Sequence, residues 1–444
     1  MTLTLRKYTT VLGLVVGLCL LQPSPSRGSI FDTYGFGSRG TAMGNALTAG
    51  ALDFHAVYYN PAQLMERNMT HVGVGVSYIH PNLSIDRDLL TSDNPSILPG
   101  QNVGFTVGVS TPLGGVFKQK VALGFGMFIP LMRMTRAQNV DYGSPQFYNY
   151  ENLPDKLIVA LGAAVRPFPW LDIGIGTQIL ADLDGQGDVT LSLVEGKVTD
   201  RKMSIDLHGD LALTAGMTVR PMKGLSLAIS YRESLDLAYS LPLYAEIKEI
   251  GMLVFDISGT SLYTPHQINV GVQYTIPEWN LSIASDLTYA LWSLAPSPSP
   301  IITVNLDNSG LIPSADPQPL LDAESGPIDL EAKDVLIPRL GLEYHPISSL
   351  ALRAGYSYRP TPLPTPIHQT NYADSDAHLT SVGLAWSFQD PTHVHKKPIT
   401  IGLSAQWTIL RPRRVDKADP NDATGSYTIG GSLLYVGLDI QHDF

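Results

Sequence analysis

Three things are scarce in this sequence. Cysteine occurs once, at Cys19, so no disulfide framework can staple the fold. Charged residues make up only 16%, and mean hydropathy is +0.06, a balance that fits neither a disordered chain nor a helical membrane protein. Long apolar runs are missing beyond the first turns, where nothing approaches the roughly 18 residues of a membrane helix. Helical spanning is therefore excluded. What the chain has instead is abundant glycine and proline, 40 and 33 residues. A length of 444 residues suits either two or three soluble domains or one closed barrel of many strands.

The N-terminus carries Arg6 and Lys7, an apolar run from Val11 to Leu21, and then Ser26, Arg27 and Gly28. This order reads as a secretory signal, residues 1–28, cut after Gly28. Leu18 stands where a lipoprotein signal wants a small residue, which argues against a lipid anchor at Cys19. Without that segment the chain keeps 26 basic and 40 acidic residues, a net charge of −14, and no cysteine. Such a surface disfavours nucleic acid. A secreted chain without disulfides needs another source of stability, and a hydrogen-bonded barrel without edges supplies one.

Alternation carries the fold assignment. A membrane barrel strand shows lipid on one side and lumen on the other, so its side chains repeat with period two. From His266 to Tyr274, Ile268, Val270, Val272 and Tyr274 oppose Gln267, Asn269, Gly271 and Gln273. From Trp279 to Leu291, Trp279, Leu281, Ile283, Leu287 and Tyr289 oppose Asn280, Ser282, Asp286 and Thr288. Ile399, Ile401, Leu403 and Trp407 repeat the pattern, and the last strand sets Val436, Leu438, Ile440 and the terminal Phe444 against Gly437, Asp439 and Gln441. The whole chain yields about fourteen strands, an even number as bacterial barrels require. They begin near His71, Val103, Lys120, Leu157, Leu171, Met203, Leu225, Leu262, Trp279, Val335, Leu350, His378, Pro398 and Tyr427. Connections alternate short and long, as periplasmic turns and outer loops do. A soluble propeller or sandwich, the competing all-β architecture, has no reason to alternate so regularly.

Inward positions are small: Gly73, Gly75 and Ser77, then Ala122, Gly124 and Gly126, then Ala160, Gly162 and Ala164. Small residues leave room for something inside the barrel, and the segment 29–67 that precedes the first strand is long enough to fill it. Its Gly35, Gly37 and Gly40 match a dinucleotide fingerprint only weakly, since no strand precedes them and no βαβ unit follows. They suit short helices and turns packing as a plug. The expected organisation is signal 1–28, plug 29–67 and barrel 68–444.

At this point the sequence resembles the FadL-type family of outer-membrane transporters for long-chain fatty acids and other hydrophobic compounds. The resemblance runs through Asn60-Pro61-Ala62, through Thr264-Pro265-His266-Gln267-Ile268 with Gly271 and Tyr274, and through Trp279, Asp286, Tyr289 and Trp292. It continues with Arg339, Gly341, Glu343 and Tyr344, then Leu352-Arg353-Ala354-Gly355-Tyr356-Ser357-Tyr358 and Pro362. It implies a fourteen-stranded barrel closed by an N-terminal hatch, a capture site among the outer loops, a deeper pocket, and lateral exit at a kink in the third strand. Here that strand is Lys120 to Pro130, and Gly124, Gly126 and Pro130 are the candidates for the opening. Glycine there equally suits ordinary lumen packing. One departure concerns the capture site, because the longest loop, Ser293 to Asp334, follows the ninth strand rather than an earlier one.

An amphiphilic cargo needs apolar walls and a few polar groups for its head, and a carboxylate favours arginine. Arg339, Arg353 and Arg359 fall on the inward parity and, with Phe128, are the candidate substrate contacts; Asn60, Pro61 and Ala62 are the candidate gate. The competing reading pairs these arginines with Asp286 and Glu343 to pin the plug. Asp206, His208 and Asp210 share one face of a strand, a spacing that suits lumen lining better than metal or hydrolase chemistry. Neither cofactor, metal nor catalytic residue is expected. Expected partners are a hydrophobic small molecule, outer-membrane lipid and the barrel assembly machinery, with the protein a monomer. A general porin for polar solutes and an outer-membrane lipase or deacylase are the alternative functions.

Overall fold

The structure is a computed structural model of the chain. It describes residues 31–88, 96–132, 143–147, 149–150, 157–192, 197–247, 251–297, 301–308, 319–368, 370–390 and 397–444. For residues 31–32, 181–192, 197–210, 236–241, 246–247 and 261–262 the backbone alone is described. The expected signal segment lies outside the described residues.

Four short helical pieces come first: α1 (Phe31–Tyr34), α2 (Gly37–Ala42), α3 (Ala56–Tyr59) and a 3-10 turn, Pro61–Glu66. Strands follow as β1 (His71–Arg87), β2 (Asn102–Pro112), β3 (Val121–Pro130), the loop strand β4 (Gln146–Phe147), β5 (Ile158–Phe168), β6 (Leu171–Ser192), β7 (Lys197–Met222) and β8 (Leu225–Arg232). Next are the loop strands β9 (Leu235–Ile247) and β10 (Gly251–Thr264), the wall strands β11 (Gln267–Ile276) and β12 (Leu281–Ala290), and the loop strands β13 (Ile301–Asp307) and β14 (Pro319–Glu324). The chain ends with β15 (Val335–Ile347), β16 (Leu350–Arg359), the loop strand β17 (Tyr372–Ala373), β18 (Ala377–Phe388), β19 (Ile399–Val415) and β20 (Tyr427–Asp443).

Each wall strand pairs antiparallel with the next wall strand in the chain. β20 pairs back onto β1, His71 opposite Asp443, which closes fourteen strands into a barrel. Closure satisfies every wall strand's backbone polar groups without water, the condition for crossing a bilayer with strands. The alternation fixes which face is out. Val270 is 53% exposed beside Asn269 at 2%, and Trp407 is 55% exposed beside Gln406 at 1%. Exposed apolar residues circle the barrel, with Trp170, Trp279 and Trp386 toward the short-turn end, as in a lipid-facing band with an aromatic girdle. This is an outer-membrane barrel.

Three strand starts differ from expectation. The sixth wall strand begins at Lys197 rather than near Met203, because it stays paired with β6 out to Ser192. The eighth wall strand begins at Gln267, not near Leu262, because Leu262 belongs to β10, which pairs with β9 across a register shift between Thr260 and Leu262. The ninth begins at Leu281 rather than Trp279, because Pro277–Trp279 forms a 3-10 turn and Asn280 takes the left-handed backbone conformation at φ 50°. The loop strands extend the wall outward. Beyond the membrane β6 pairs in parallel with β9, β10 pairs with β9 and β13, and β13 pairs with β14, so the long connection after the ninth wall strand joins one raised sheet.

Candidate functional site

Residues 31–66 lie inside the barrel, and the wall is shaped to receive them. On eleven of the fourteen wall strands sits a glycine whose added Cβ would fall within 3.2 Å of a plug atom. Gly73 and Gly108 lie under Phe54, Gly124 and Gly162 under Val57 and Leu64, Gly174 under the Pro61–Ala62 backbone, and Gly216 under Asn60. On the opposite side Gly341 and Gly355 meet Met43 and Gly44, Gly383 meets Ala42, and Gly402 meets Ser38. Three strands of small inward residues were apparent in the sequence; the belt runs nearly all the way round. Gly37, at φ +78°, lies against the His55 ring, and Gly40 against Tyr59. Two of the three glycines of the weak fingerprint thus make room for rings, and Gly35 makes room for Asn45 and Thr41.

Polar bonds then fix the plug at several points. Asn60 Nδ2 donates to the Thr48 carbonyl (2.8 Å) and to Thr218 Oγ1 (3.1 Å), while its Oδ1 accepts from the Ala62 amide (3.0 Å) and caps the 3-10 turn. Gln63 Nε2 also donates to Thr218 Oγ1 (2.8 Å), and Ser230 Oγ donates to the Tyr59 carbonyl (3.0 Å). Across the lumen Asp439 accepts from the Ser38 amide (2.6 Å) and Asp286 from the Thr48 amide (2.8 Å). At the centre Glu343 takes Arg39 of the plug at 2.8 Å and Arg353 of the wall at 2.6 Å. At the base, Asp172 accepts from Arg166 (2.6 Å) and Arg220 (2.8 Å); Arg220 also meets Glu66, and Arg166 donates to the Met65 carbonyl (3.0 Å). Breaking one buried pair of this kind costs roughly 3–5 kcal/mol.

A second buried pair lies within the plug. Asp53 Oδ1 and His55 Nδ1 are 2.6 Å apart. Burial opposes charge on both groups, but each outweighs it for the other: the Asp53 carboxyl is held well below the usual carboxylate range and the His55 pKa is raised above 6.5. Beneath the plug, at the short-turn end, two cavities of about 260 and 750 Å³ share Leu52, Glu343 and His345.

Above the plug the character changes. Large apolar residues point inward on the outer halves of many strands, Ile79, Leu83, Phe128, Ile158, Leu180, Leu379, Leu410, Ile429 and Leu433, joined by Tyr427 and Tyr435, among fewer polar ones such as Asn102, Gln178, Gln267 and Gln406. With Phe147 and Tyr150 of the connection after β3 they form one buried cluster. Smaller clusters continue outward, Tyr263, Trp292 and Ile337 in one, and Leu330, Leu363 and Tyr372 in another, both touching Ala295 and Ala332.

The expected site residues divide between these zones. Phe128 is buried in the apolar cluster, with Gly104 under its ring. Arg353 lies in the plug seam on Glu343. Arg359 is at the mouth, forking onto Asp374 (2.8 and 2.9 Å) and donating to Tyr150 Oη (2.6 Å). Arg339 sits between plug and wall, facing its cross-strand neighbour Asp286, and donates to Thr288 Oγ1 (2.6 Å). Gly124 and Gly126 receive plug side chains, and β3 holds its register with both neighbours along its paired length. The backbone sets Asp206, His208 and Asp210 on β7 beyond the plug level, opposite Asp184, Asp182 and Leu180; their side chains lie outside the described residues. Sequence reasoning missed Arg232, whose guanidinium lies 4.0 Å over the Tyr58 ring, although its inward parity on β8 was visible.

A closed antiparallel barrel with a helical plug seated by ion pairs and a glycine belt defines a class of plugged outer-membrane barrels. Within that class the chain has a fold like that of FadL-type barrels. No family model matches it. It is similar to alkane uptake protein A of Marinobacter nauticus, 23% identical over 451 residues that cover 97% of this chain and 94% of that protein. Among solved structures it matches a Pseudomonas aeruginosa FadL homologue, TM-score 0.60 at 14% identity over 92% of this chain and 98% of that one. It also matches the P. putida toluene transporter TodX, TM-score 0.58 at 15% identity over 93% and 99%.

Proposed function

We propose that this protein takes up hydrophobic small molecules passively across the outer membrane, holding them in the apolar chamber above the plug and releasing them sideways through the wall. It is a transporter and not an enzyme. The observation that carries this reading is the contrast between an apolar upper lumen and an ion-paired floor. Each buried methylene gains about 0.8 kcal/mol in the chamber. Axial passage would require parting Glu343 from Arg39 and Arg353, at roughly 3–5 kcal/mol, and would set a hydrocarbon among buried charges. Sideways release avoids both costs. The exit in this reading is the outer end of β3, where pairing with β5 stops at Phe128 and Ile158 among the described residues while pairing with β2 continues to Pro130. Pro130 has no amide to donate there.

The cargo is a hydrocarbon chain or ring, in keeping with the alkane and toluene transport named for the similar proteins. A long-chain fatty acid belongs to the same class if Arg339 receives its carboxylate, since Arg353 and Arg359 already hold Glu343 and Asp374. Asn60-Pro61-Ala62, clasped between β6 and β7, is the part of the plug whose release would gate the lumen. Uptake of labelled hexadecane, toluene and oleate by cells with and without the protein tests the reading. At least one substrate is expected to enter severalfold faster with it; equal rates for all three would sink it. Large, steady ion conductance in planar bilayers would instead favour a polar porin.

A further inference from the structure

The outer mouth is crossed by part of the connection after β3, residues 143–147 and 149–150, which reaches the opposite side of the barrel. Its β4 lies parallel to β17, Gln146 opposite Tyr372 and Phe147 opposite Ala373. The Gly143 carbonyl accepts from Asn371 Nδ2 (2.7 Å) and Thr424 Oγ1 (3.0 Å), and the Gln146 amide donates to the Asn371 carbonyl (3.1 Å). Phe147 and Tyr150 are fully buried and form the roof of the apolar cluster.

One contact on this segment differs in kind. Arg359 ends β16, a wall strand, and is locked there by its fork onto the buried Asp374; its Nη2 also donates to Tyr150 Oη at 2.6 Å and to the Ser375 carbonyl at 3.3 Å, with the guanidinium 5.4 Å from the ring centre. Burial pushes the Tyr150 phenol up to about 12 although Arg359 pulls the other way, so the phenol is neutral at physiological pH. A charged donor preset by a carboxylate and aimed at a neutral, desolvated phenol is a stronger hold than the amide and hydroxyl bonds beside it.

We propose that residues 143–147 and 149–150 belong to a lid over the apolar upper lumen and that Arg359 is the positioning residue that holds it shut, so that hydrocarbon cargo exchanges with the outside when the Arg359–Tyr150 contact parts. For its transport consequence this rests on the proposed function; the lid itself is tested without cargo.

Ser144 is buried on the closed lid, while Ser348 is exposed in a periplasmic turn. In a Cys19→Ser background, Ser144→Cys and Ser348→Cys are labelled separately with a maleimide on the full-length protein in detergent. Ser144→Cys is expected to react at least tenfold more slowly than Ser348→Cys, and Arg359→Gln to speed labelling at 144 about tenfold while leaving 348 unchanged. Heat-modifiable gel migration reports that the barrel is intact. Should Arg359→Gln fail to fold, Tyr150→Phe, which keeps the Arg359–Asp374 pair, is expected to speed labelling at 144 two- to threefold. Wild-type labelling at 144 as fast as at 348, or no acceleration in a folded Arg359→Gln or Tyr150→Phe barrel, overturns the lid. Labelling that behaves as expected with no change in hydrocarbon uptake would retain the lid and discard the transport reading.

Discussion

The two halves of the lumen are built from the same fourteen strands and read like two different proteins. In the lower half, glycines and charged or hydroxyl residues point inward and meet the plug: Gly216 under Asn60, Gly355 under Gly44, Thr218 on Asn60, Glu343 between Arg39 and Arg353. In the upper half the same strands turn Ile79, Phe128, Leu410 and Leu433 inward, and these pack on one another. β1 passes from Gly73 and Gly75 to Ile79 and Leu83 on one face, and β3 from Gly124 and Gly126 to Phe128. The change occurs along single strands, so the proposed cargo space and the plug seat are separated by height rather than by domain.

The largest expected effect on this contrast comes from Glu343→Gln, which leaves Arg39 and Arg353 buried without their carboxylate. Plug seating should weaken by roughly 3–5 kcal/mol, read as limited proteolysis of the plug and new ion conductance, while cargo binding in the chamber is spared. Phe128→Ala should do the reverse. Losing about 1.5–3 kcal/mol of apolar contact weakens hydrocarbon binding about tenfold or more, measured by fluorescent-ligand displacement, with proteolysis of the plug unchanged. Gly216→Val adds a side chain where Asn60 sits and should cost about 1–3 kcal/mol in thermal unfolding, with partial release of the Pro61–Glu66 turn.

The smallest effect is on pH. His55 has a raised pKa, so its pairing with Asp53 contributes fully below about pH 6.5 and is lost as pH rises through that raised value. Asp53 has a depressed pKa, so its share is present above its unfolded value of 3.8 and is lost only as pH falls through the depressed one. Plug protection against protease should therefore decline on the alkaline side, and His55→Gln should flatten that decline. A flat wild-type profile would remove the pair from the account of plug seating.

The wall was largely legible in the sequence because a strand between lipid and lumen must alternate. Ile268 to Tyr274 and Val436 to Ile440 face out where the period of two puts them. It misled at Leu262, whose alternation is shared by a loop strand, and at Trp279, where a left-handed Asn280 delays the strand. β9, β10, β13 and β14 meet no lipid; their pairing depends on one another, and composition alone does not mark it. The plug was legible from the small residues opposite it. Its clasps were not, because Arg39 and Glu343 are 304 residues apart, and inward parity places a charge in the lumen without naming its partner. For Arg359 that parity was correct while Asp374 and Tyr150, on two different loops, stayed hidden. The chamber was within reach of the same reasoning, since Ile79, Leu83 and Phe128 continue the inward face of strands whose lower halves are glycine.

The most direct test of a cargo chamber above a closed floor is a crystal structure with a bromine-labelled alkane bound, located by anomalous scattering. Bromine is expected among Phe128, Leu379 and Leu433, with the Arg39–Glu343–Arg353 cluster intact below it. Bromine in the polar seam between plug and wall, beside Glu343 or Arg339, would contradict it.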